Sequence, residues 1–335
     1  MPSTTVIKQM IPRPLLPIAR SAYTATVALY YSARAFCYSV RLSLLQCTLL
    51  RESKVDRVPY ELFSGTSDSF WFWLFTEGQR RAPLLKRVLP GMPDEDVQLM
   101  FTGNTGDAVL REGFSAYKLF KELCERHIGP LAHCEHVLDF GCGWGRIIRF
   151  FLRDLESVHL WGADPVEGMI ELCKNTNPWC QFSTIKQNPP TQFEANTFDV
   201  IYSFSVFSHL SEPMQLTWLA ELHRILKPGG ILIATTRDRQ FIGWCADMRS
   251  RADLDTMHPG PRSSAAAFLD TMNVLAKYDG GEYCFSQLVH SDWSYWGEAA
   301  IPKDYVLKEW TRWFRFLEYI DDRNRCSQNV ITVRK

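Results

Sequence analysis

Three groups of residues in this chain have types and spacing that could do chemistry together. Residues 137–146, Val-Leu-Asp-Phe-Gly-Cys-Gly-Trp-Gly-Arg, are a short apolar run that ends in an acid and enters a glycine-rich turn. In such a turn Gly141 and Gly143 give the backbone positive φ angles and let a ligand approach closely, while Gly145 lets the next helix pack onto the strand. Asp164, about 20 residues further on, ends a second apolar run, where a carboxylate accepts hydrogen bonds from both hydroxyls of a ribose. His209, in Phe204-Ser205-Val206-Phe207-Ser208-His209-Leu210, has an unperturbed pKa suited to proton removal near neutrality. A positioned base of this kind contributes about 10²–10⁴-fold to a rate. Each group also has a plainer reading. A tight turn needs no ligand, and a histidine ahead of a helix can simply bind backbone or orient a loop.

The elements that must position these residues are legible from pattern. Val158-His159-Leu160-Trp161-Gly162-Ala163-Asp164-Pro165 reads as a second strand, and a helix from about Val166 to Lys174 starts at Pro165, a residue favoured in a first turn. Phe198-Asp199-Val200-Ile201-Tyr202-Ser203-Phe204-Ser205 is a β-branched and aromatic run. After Ser211-Glu212-Pro213 a helix carries Leu216, Leu219, Leu222 and Leu226 at helical spacing, until Lys227-Pro228-Gly229-Gly230 stops it and leads into the strand 231–236. Near the end, 313–320 and 328–333 read as an antiparallel hairpin. A nicotinamide site would call for G-x-G-x-x-G, but the third glycine's position holds Arg146, and the spacing is G-x-G-x-G.

These motifs, in this order, resemble class I S-adenosylmethionine (SAM)-dependent methyltransferases over about residues 134–236, with a return at the C-terminus. The resemblance implies an α/β, Rossmann-like, doubly wound sheet of seven strands in order 3-2-1-4-5-7-6, strand 7 antiparallel, with an N-terminal helical extension and an insertion before the last hairpin. It implies SAM as cofactor, held by Asp139, Gly141, Cys142, Gly143, Gly145, Arg146, Asp164, Pro165, Gln187 and Ser205. Lys186-Gln187-Asn188 stands where many relatives carry an acid for the adenine amine. His209 lies where the acceptor side of the site begins and is the candidate base. Glu212 would orient it or complement the adjacent helix dipole.

The expected organisation is a basic helical segment over 1–59, a helical lead-in over 60–133, the SAM-binding core over 134–236, an inserted substrate cap over 237–311 and the closing hairpin over 312–335. Within the lead-in, Phe70-Trp71-Phe72-Trp73-Leu74-Phe75 reads as core, and Phe101–Asp107 as a turn-rich break before a helix over Ala116–Arg126. Loops at the insertion's edge of such a sheet are where function varies. There His290, Asp292, Trp293, Tyr295, Trp296 and Glu298 either line a pocket or pack a surface subdomain.

The first fifty residues are unlike the rest, for Lys8, Arg13, Arg20, Arg34, Arg41 and Arg51 all precede the first acid, Glu52. The uncharged run 21–33 is well short of the roughly 20 residues that span a bilayer. At helical spacing Arg20, Arg34 and Arg41 share one face and Leu29, Ala33, Phe36, Val40 and Leu44 the other. That pattern fits a helix on an anionic membrane surface, an organellar transit peptide, or a helix docked on this protein or a second subunit.

A chain of 335 residues with 46% hydrophobic content can bury a sizeable core, and its net charge of zero argues against nonspecific attraction to nucleic acid. Ten cysteines with no C-x-x-C pair and no metal-ligand spacing suit a reducing compartment and predict no metal site. Asn188-Pro189-Pro190-Thr191 precedes the fourth strand and ends in threonine, so it reads as a loop and not as a base-stacking motif. The expected function is methyl transfer from SAM to a small-molecule or glycan-type acceptor, at oxygen, by a cytoplasmic enzyme with peripheral membrane contact or organellar import left open. The alternatives are an NAD-dependent oxidoreductase and a catalytically inactive methyltransferase-like binding protein.

Overall fold

All four residues of β1 (Val137–Phe140) are buried, because parallel strands lie on both sides of it and helices cover both faces. The computed structural model describes residues 33, 36–47, 49, 59–287 and 294–335. In it β1 pairs in parallel with β2 (Leu160–Asp164) and β4 (Phe198–Ser203), β2 with β3 (Gln181–Thr184), and β4 with β5 (Leu226–Thr236). Of the last strands, β8 (Arg315–Ile320) is at the edge, and β9 (Asn329–Arg334) runs antiparallel to both β5 and β8. The sheet order is β3-β2-β1-β4-β5-β9-β8, the expected topology with its one antiparallel insertion. Chain direction across the sheet reverses between β1 and β4, and a crevice opens there beyond the strands' carboxyl ends.

Helices cover this sheet with the apolar faces that their spacing announces. The helix α1 (Asp68–Trp73) buries Phe70 and Trp71, and the Trp71 indole N–H donates to the Phe150 carbonyl at 3.0 Å, so the aromatic run is core as expected. Next comes α2 (Glu95–Thr102), then α3 (Gly106–His127), whose Phe120 packs on Tyr202 of β4. The expected helix over 116–126 is therefore ten residues longer at its start, at Gly106. Asp107 in the first turn complements the helix dipole, and Val109, Leu110, Gly113 and Phe114 extend the buried stripe. The second strand is shorter than expected because 157–159 form a 3-10 turn. Its following helix, α4 (Glu167–Thr176), leaves Pro165 outside and Val166 at the N-cap.

On the opposite face α5 (Glu212–Ile225) buries Trp218, Leu219, Leu222 and Ile225 in one cluster with Phe140, Phe207 and Leu226. Full burial of such side chains stabilises by about 1.5–3 kcal/mol each. The helix ends at Ile225, and the chain passes directly into β5 at Leu226, so the strand begins five residues before the expected 231 and takes in Pro228, which cannot sit inside a helix.

The insertion has its own small core of Phe241, Ile242, Cys245, Ala267, Phe268, Tyr278, Cys284 and Ala300. It consists of α6 (Arg239–Arg249), α7 (Pro259–Ala265), α8 (Thr271–Asp279) and an antiparallel pair, β6 (Cys284–Gln287) and β7 (Gly297–Ala300). Asp238 caps α6 by accepting from the Phe241 N–H at 2.7 Å. The chain then returns to β8 through α9 (Lys303–Glu309).

By internal contacts the chain divides into a unit of 1–56 with 77–87 and a unit of 57–76 with 88–335. In the first, residues 36–47 are helical, Phe36, Val40 and Leu44 are exposed, and Leu42 and Leu49 are buried. Arg20, Leu29 and Arg34 lie outside the described residues. Among the described residues no helix is long and apolar enough to cross a membrane.

Candidate cofactor and acceptor site

The crevice at the β1/β4 switch holds a cavity of about 320 Å³. Its floor is the glycine turn after β1. Gly141 has φ +76°, and a Cβ there would meet Val206 Cγ2 at 2.2 Å, so no side chain fits. Gly143, at φ +51°, directs its N–H to Asp164 Oδ2 at 2.9 Å, and a Cβ on it would lie 3.8 Å from Phe101, which lines the same cavity. Cys142 lines the floor between them.

Gly145 is the departure. It is not on the cavity; a Cβ there would press on Cys173 Sγ at 3.3 Å and Ile148 Cγ2 at 3.4 Å. The third glycine faces back toward α4, which gives it the packing role, while the cavity lies in front of the first two.

Asp164 ends β2 on the cavity wall beside Pro165. Its Oδ1 accepts from the Val166 N–H and its Oδ2 from the Gly143 N–H, both at 2.9 Å. A carboxylate offers about four acceptor sites, so two remain for ribose hydroxyls. Burial raises its pKa, against the pull of those two N–H groups. Asp139, 2% exposed at the end of β1, is pushed further, to about 7, chiefly by burial. Gln187 also lines the cavity, where its Oε1 accepts from the Tyr295 hydroxyl at 2.9 Å. That bond leaves the amide's donor end for an adenine ring nitrogen. With the glycine floor, the ribose carboxylate and Ile185 as an apolar wall, these residues fit an adenosyl cofactor.

Arg146 lines the cavity with its guanidinium 5.0 Å from the centre of the Phe204 ring and paired to Glu112, so its charge is neutralised in place. Ser205 holds φ +61°, a conformation that costs a residue with a side chain on the order of 1–3 kcal/mol unless its surroundings enforce it. They do. The Ser205 N–H donates to Thr235 Oγ1 at 2.7 Å, Gln328 Nε2 donates to Ser205 Oγ at 2.9 Å, and Thr235 Oγ1 donates to Gln328 Oε1 at 2.8 Å.

His209 shares the cavity with the glycine turn and Asp164. Its Nδ1 is 2.7 Å from the Gly297 carbonyl, which can only accept, so the proton is on Nδ1 and Nε2 keeps its lone pair. Nε2 lies 3.4 Å from Ser205 Oγ, and the ring stacks on Trp296 with centroids 5.0 Å apart and planes 16° apart. Burial lowers its pKa more than nearby Glu298 raises it, so the ring is neutral and ready to accept a proton at pH 7.

Glu212 does not orient His209. Its carboxylate accepts from the Tyr305 hydroxyl at 2.8 Å, because the first turn of α5 points it toward α9. The group behind the histidine is Glu298, 3.7 Å from Nδ1. Of the insertion's other candidates, Tyr295 and Trp296 line the cavity, and His290, Asp292 and Trp293 lie outside the described residues. Phe101 and Thr102, from the turn-rich lead-in, line the cavity, whereas sequence reading missed Thr235, Arg237, Ser264 and Gln328. Among the described residues no group of three or more His, Cys, Asp and Glu could hold a metal ion.

Residues 137–230 match the family model for a methyltransferase domain. Among curated proteins, malonyl-[acyl-carrier protein] O-methyltransferase of Halalkalibacterium halodurans is 29% identical over 126 residues, 36% of this chain and 46% of that one. The ubiquinone biosynthesis O-methyltransferase of Ruegeria pomeroyi is 24% identical over 159 residues, 47% of this chain and 54% of that one. The chain thus spans about half the length of these relatives. Of solved structures, an S-adenosylmethionine-dependent methyltransferase from Mesorhizobium loti is 14% identical, with 64% of this chain and 96% of that one covered and a TM-score of 0.42.

Proposed function

We propose, from the premise that this chain carries a class I SAM-dependent methyltransferase domain over residues 137–230, that it methylates a hydroxyl of a small-molecule or glycan-type acceptor. The observation that carries the reading is His209, which lines the cavity that Asp164 and the glycine turn define and whose Nδ1 is occupied by Gly297, leaving the lone pair on Nε2.

When bound, the cofactor supplies a methyl group already activated on a sulfonium. The protein's work is then alignment and proton removal. Asp164 and Gly143 place the adenosyl end, and Phe204, Tyr295 and Trp296 give the cavity aromatic lining for the acceptor. His209 Nε2 takes the hydroxyl proton as the oxygen attacks the methyl carbon. Alignment of this kind can supply several kcal/mol of a barrier. Methyl transfer to a hydroxyl is favoured over transfer to an amine because a neutral imidazole is matched to a proton that must leave as the bond forms.

Incubation with methyl-labelled SAM and a panel of saccharides, phenols, aliphatic alcohols, amines and carboxylates tests this reading. Label in a methyl ether of a hydroxyl acceptor is the expected result. Label transferred only to amines or carboxylates would sink it. Reversible contact with an anionic membrane through the N-terminal helix is also proposed, on the exposure of Phe36, Val40 and Leu44.

A further inference from the structure

Behind His209 lies a carboxylate that methyl transfer as described does not use. Glu298 is on β7, is 2% exposed and has both oxygens engaged. Oε1 accepts from Ser264 Oγ of α7 at 2.6 Å, and Oε2 accepts from Arg237 Nε at 3.0 Å. Arg237 follows directly on β5, and its guanidinium carbon lies 4.2 Å from the centre of the Phe241 ring. Burying a carboxylate is costly unless it is paired and fully hydrogen-bonded, and here both conditions hold. Burial would raise the Glu298 carboxyl, but Arg237, His209 and Ser264 hold it below the usual range, so it is ionised at neutral pH.

Besides Arg237, the titratable neighbours of this carboxylate are the thiol of Cys245 on α6, which burial and Glu298 push up so that it stays neutral, and His209, whose Nδ1 is 3.7 Å from Oε2. The charged groups facing His209 are Glu298 on β7 and Arg237 at the end of β5, and its own segment adds the neutral Ser205. The same two residues of β7 thus meet one edge of the ring: the Gly297 carbonyl takes the Nδ1 proton and the Glu298 carboxylate stands just beyond it. Backbone bonds hold them in register, for Gly297 N–H donates to the His209 carbonyl at 2.8 Å and Ala299 N–H to the Ser208 carbonyl at 2.7 Å.

We propose that Glu298 is the positioning residue of the base, stabilising through Nδ1 the imidazolium that His209 becomes when it takes the acceptor's proton at Nε2. This rests on His209 acting as the base. The proton enters on Nε2, the ring gains one positive charge, Glu298 balances it, and the proton leaves to water once the methylated product departs. The insertion therefore completes the base as well as roofing the acceptor.

The experiment is a titration of the imidazole by NMR in the cofactor-free full chain, with the resonance assigned by its loss in His209→Gln. An opposite charge within about 4–6 Å shifts a pKa by roughly 1–3 units, so Glu298→Gln should lower the His209 pKa by about one unit or more. In methyl transfer the same variant should lower kcat about 10-fold or more and move the acidic limb of kcat/KM to lower pH by the same interval, with the KM for SAM unchanged. If Glu298→Gln fails to fold with Arg237 uncompensated, Arg237→Gln/Glu298→Gln removes both charges. The His209 pKa should still fall, by less, because the nearer carboxylate outweighs the arginine. A titration within about 0.2 unit of wild type in whichever variant folds overturns the assignment. The two readings fail differently. Should His209→Ala turn over at the wild-type rate, the base reading falls, and the proposal with it. If His209→Ala is inactive while Glu298→Gln titrates and turns over as wild type, only the role of Glu298 falls.

Discussion

The ring of His209 donates through Nδ1 to the carbonyl of Gly297 at 2.7 Å, across 88 residues of chain. A loop leaving β4 and a strand of the insertion thereby build one edge of the candidate-site cavity between them. The neutral tautomer with its lone pair on Nε2 is a consequence of that single bond.

His209→Ala should leave SAM affinity nearly intact and lower turnover about 10²-fold or more. His209→Gln keeps a donor for Gly297 but cannot act as a base. A similar loss in both variants means proton removal, and substantial recovery in the glutamine variant means orientation alone. Wild-type turnover in both would make the histidine structural.

Asp164→Ala should weaken SAM binding by about 1–3 kcal/mol, the range expected when charge-assisted hydrogen bonds are left unmade. Gly143→Val should abolish binding, since a β-branched side chain at φ +51° is strained and projects toward Phe101 across the cavity. Titration calorimetry on folded variants measures both. Unchanged affinity in the pair would refute the assignment of the cofactor end.

SAM binding should strengthen as pH rises toward 7. Asp139 is pushed up to about 7 by burial, so at pH 6 it is mostly protonated in the free protein. A cationic ligand beside it favours the ionised form, so binding below pH 7 releases a proton and affinity rises by up to tenfold per pH unit, levelling above. Asp139→Asn should remove the slope. The same shift makes the free protein lose stability between the ordinary carboxylate pKa and about 7, because the folded state holds the proton more tightly than the unfolded chain. Calorimetry in two buffers of different ionisation enthalpy reads the proton count, and a pH-independent affinity with no proton release would contradict it.

Leu222→Ala, in the fully buried stripe of α5, should cost about 2–5 kcal/mol in chemical denaturation without altering the cavity's polar groups. A loss under about 1 kcal/mol would mean that α5 is not packed on the sheet as described.

Full-length protein should float with phosphatidylserine vesicles at low salt and release at high salt, since the attraction is screened within a Debye length of about 8–10 Å. A chain lacking residues 1–52 should stay in solution. Equal flotation of the two rules the helix out as an anchor, and an unfolded truncated chain points to docking instead.

Much of this protein was determined by sequence alone, because its signals are local. The run Val137–Phe140 is apolar at every position but Asp139 because a central parallel strand is buried on both faces. Pro228 bars α5 from running on past it wherever that helix packs, and the order of such motifs along the chain implies the sheet topology. The glycine turn and Asp164 were legible for the same reason, each being set by its own few residues. Only the tertiary structure decided the rest. Gly145 belongs to packing because α4 closes on it from behind, and Glu212 turns to Tyr305 because α5 carries it there. Glu298, Arg237 and Gln328 reach the site from the insertion, the end of β5 and the closing hairpin. No spacing along the chain encodes a neighbour of that kind, because it is fixed by which buried charges and hydrogen-bonding groups must find partners once the layers have packed.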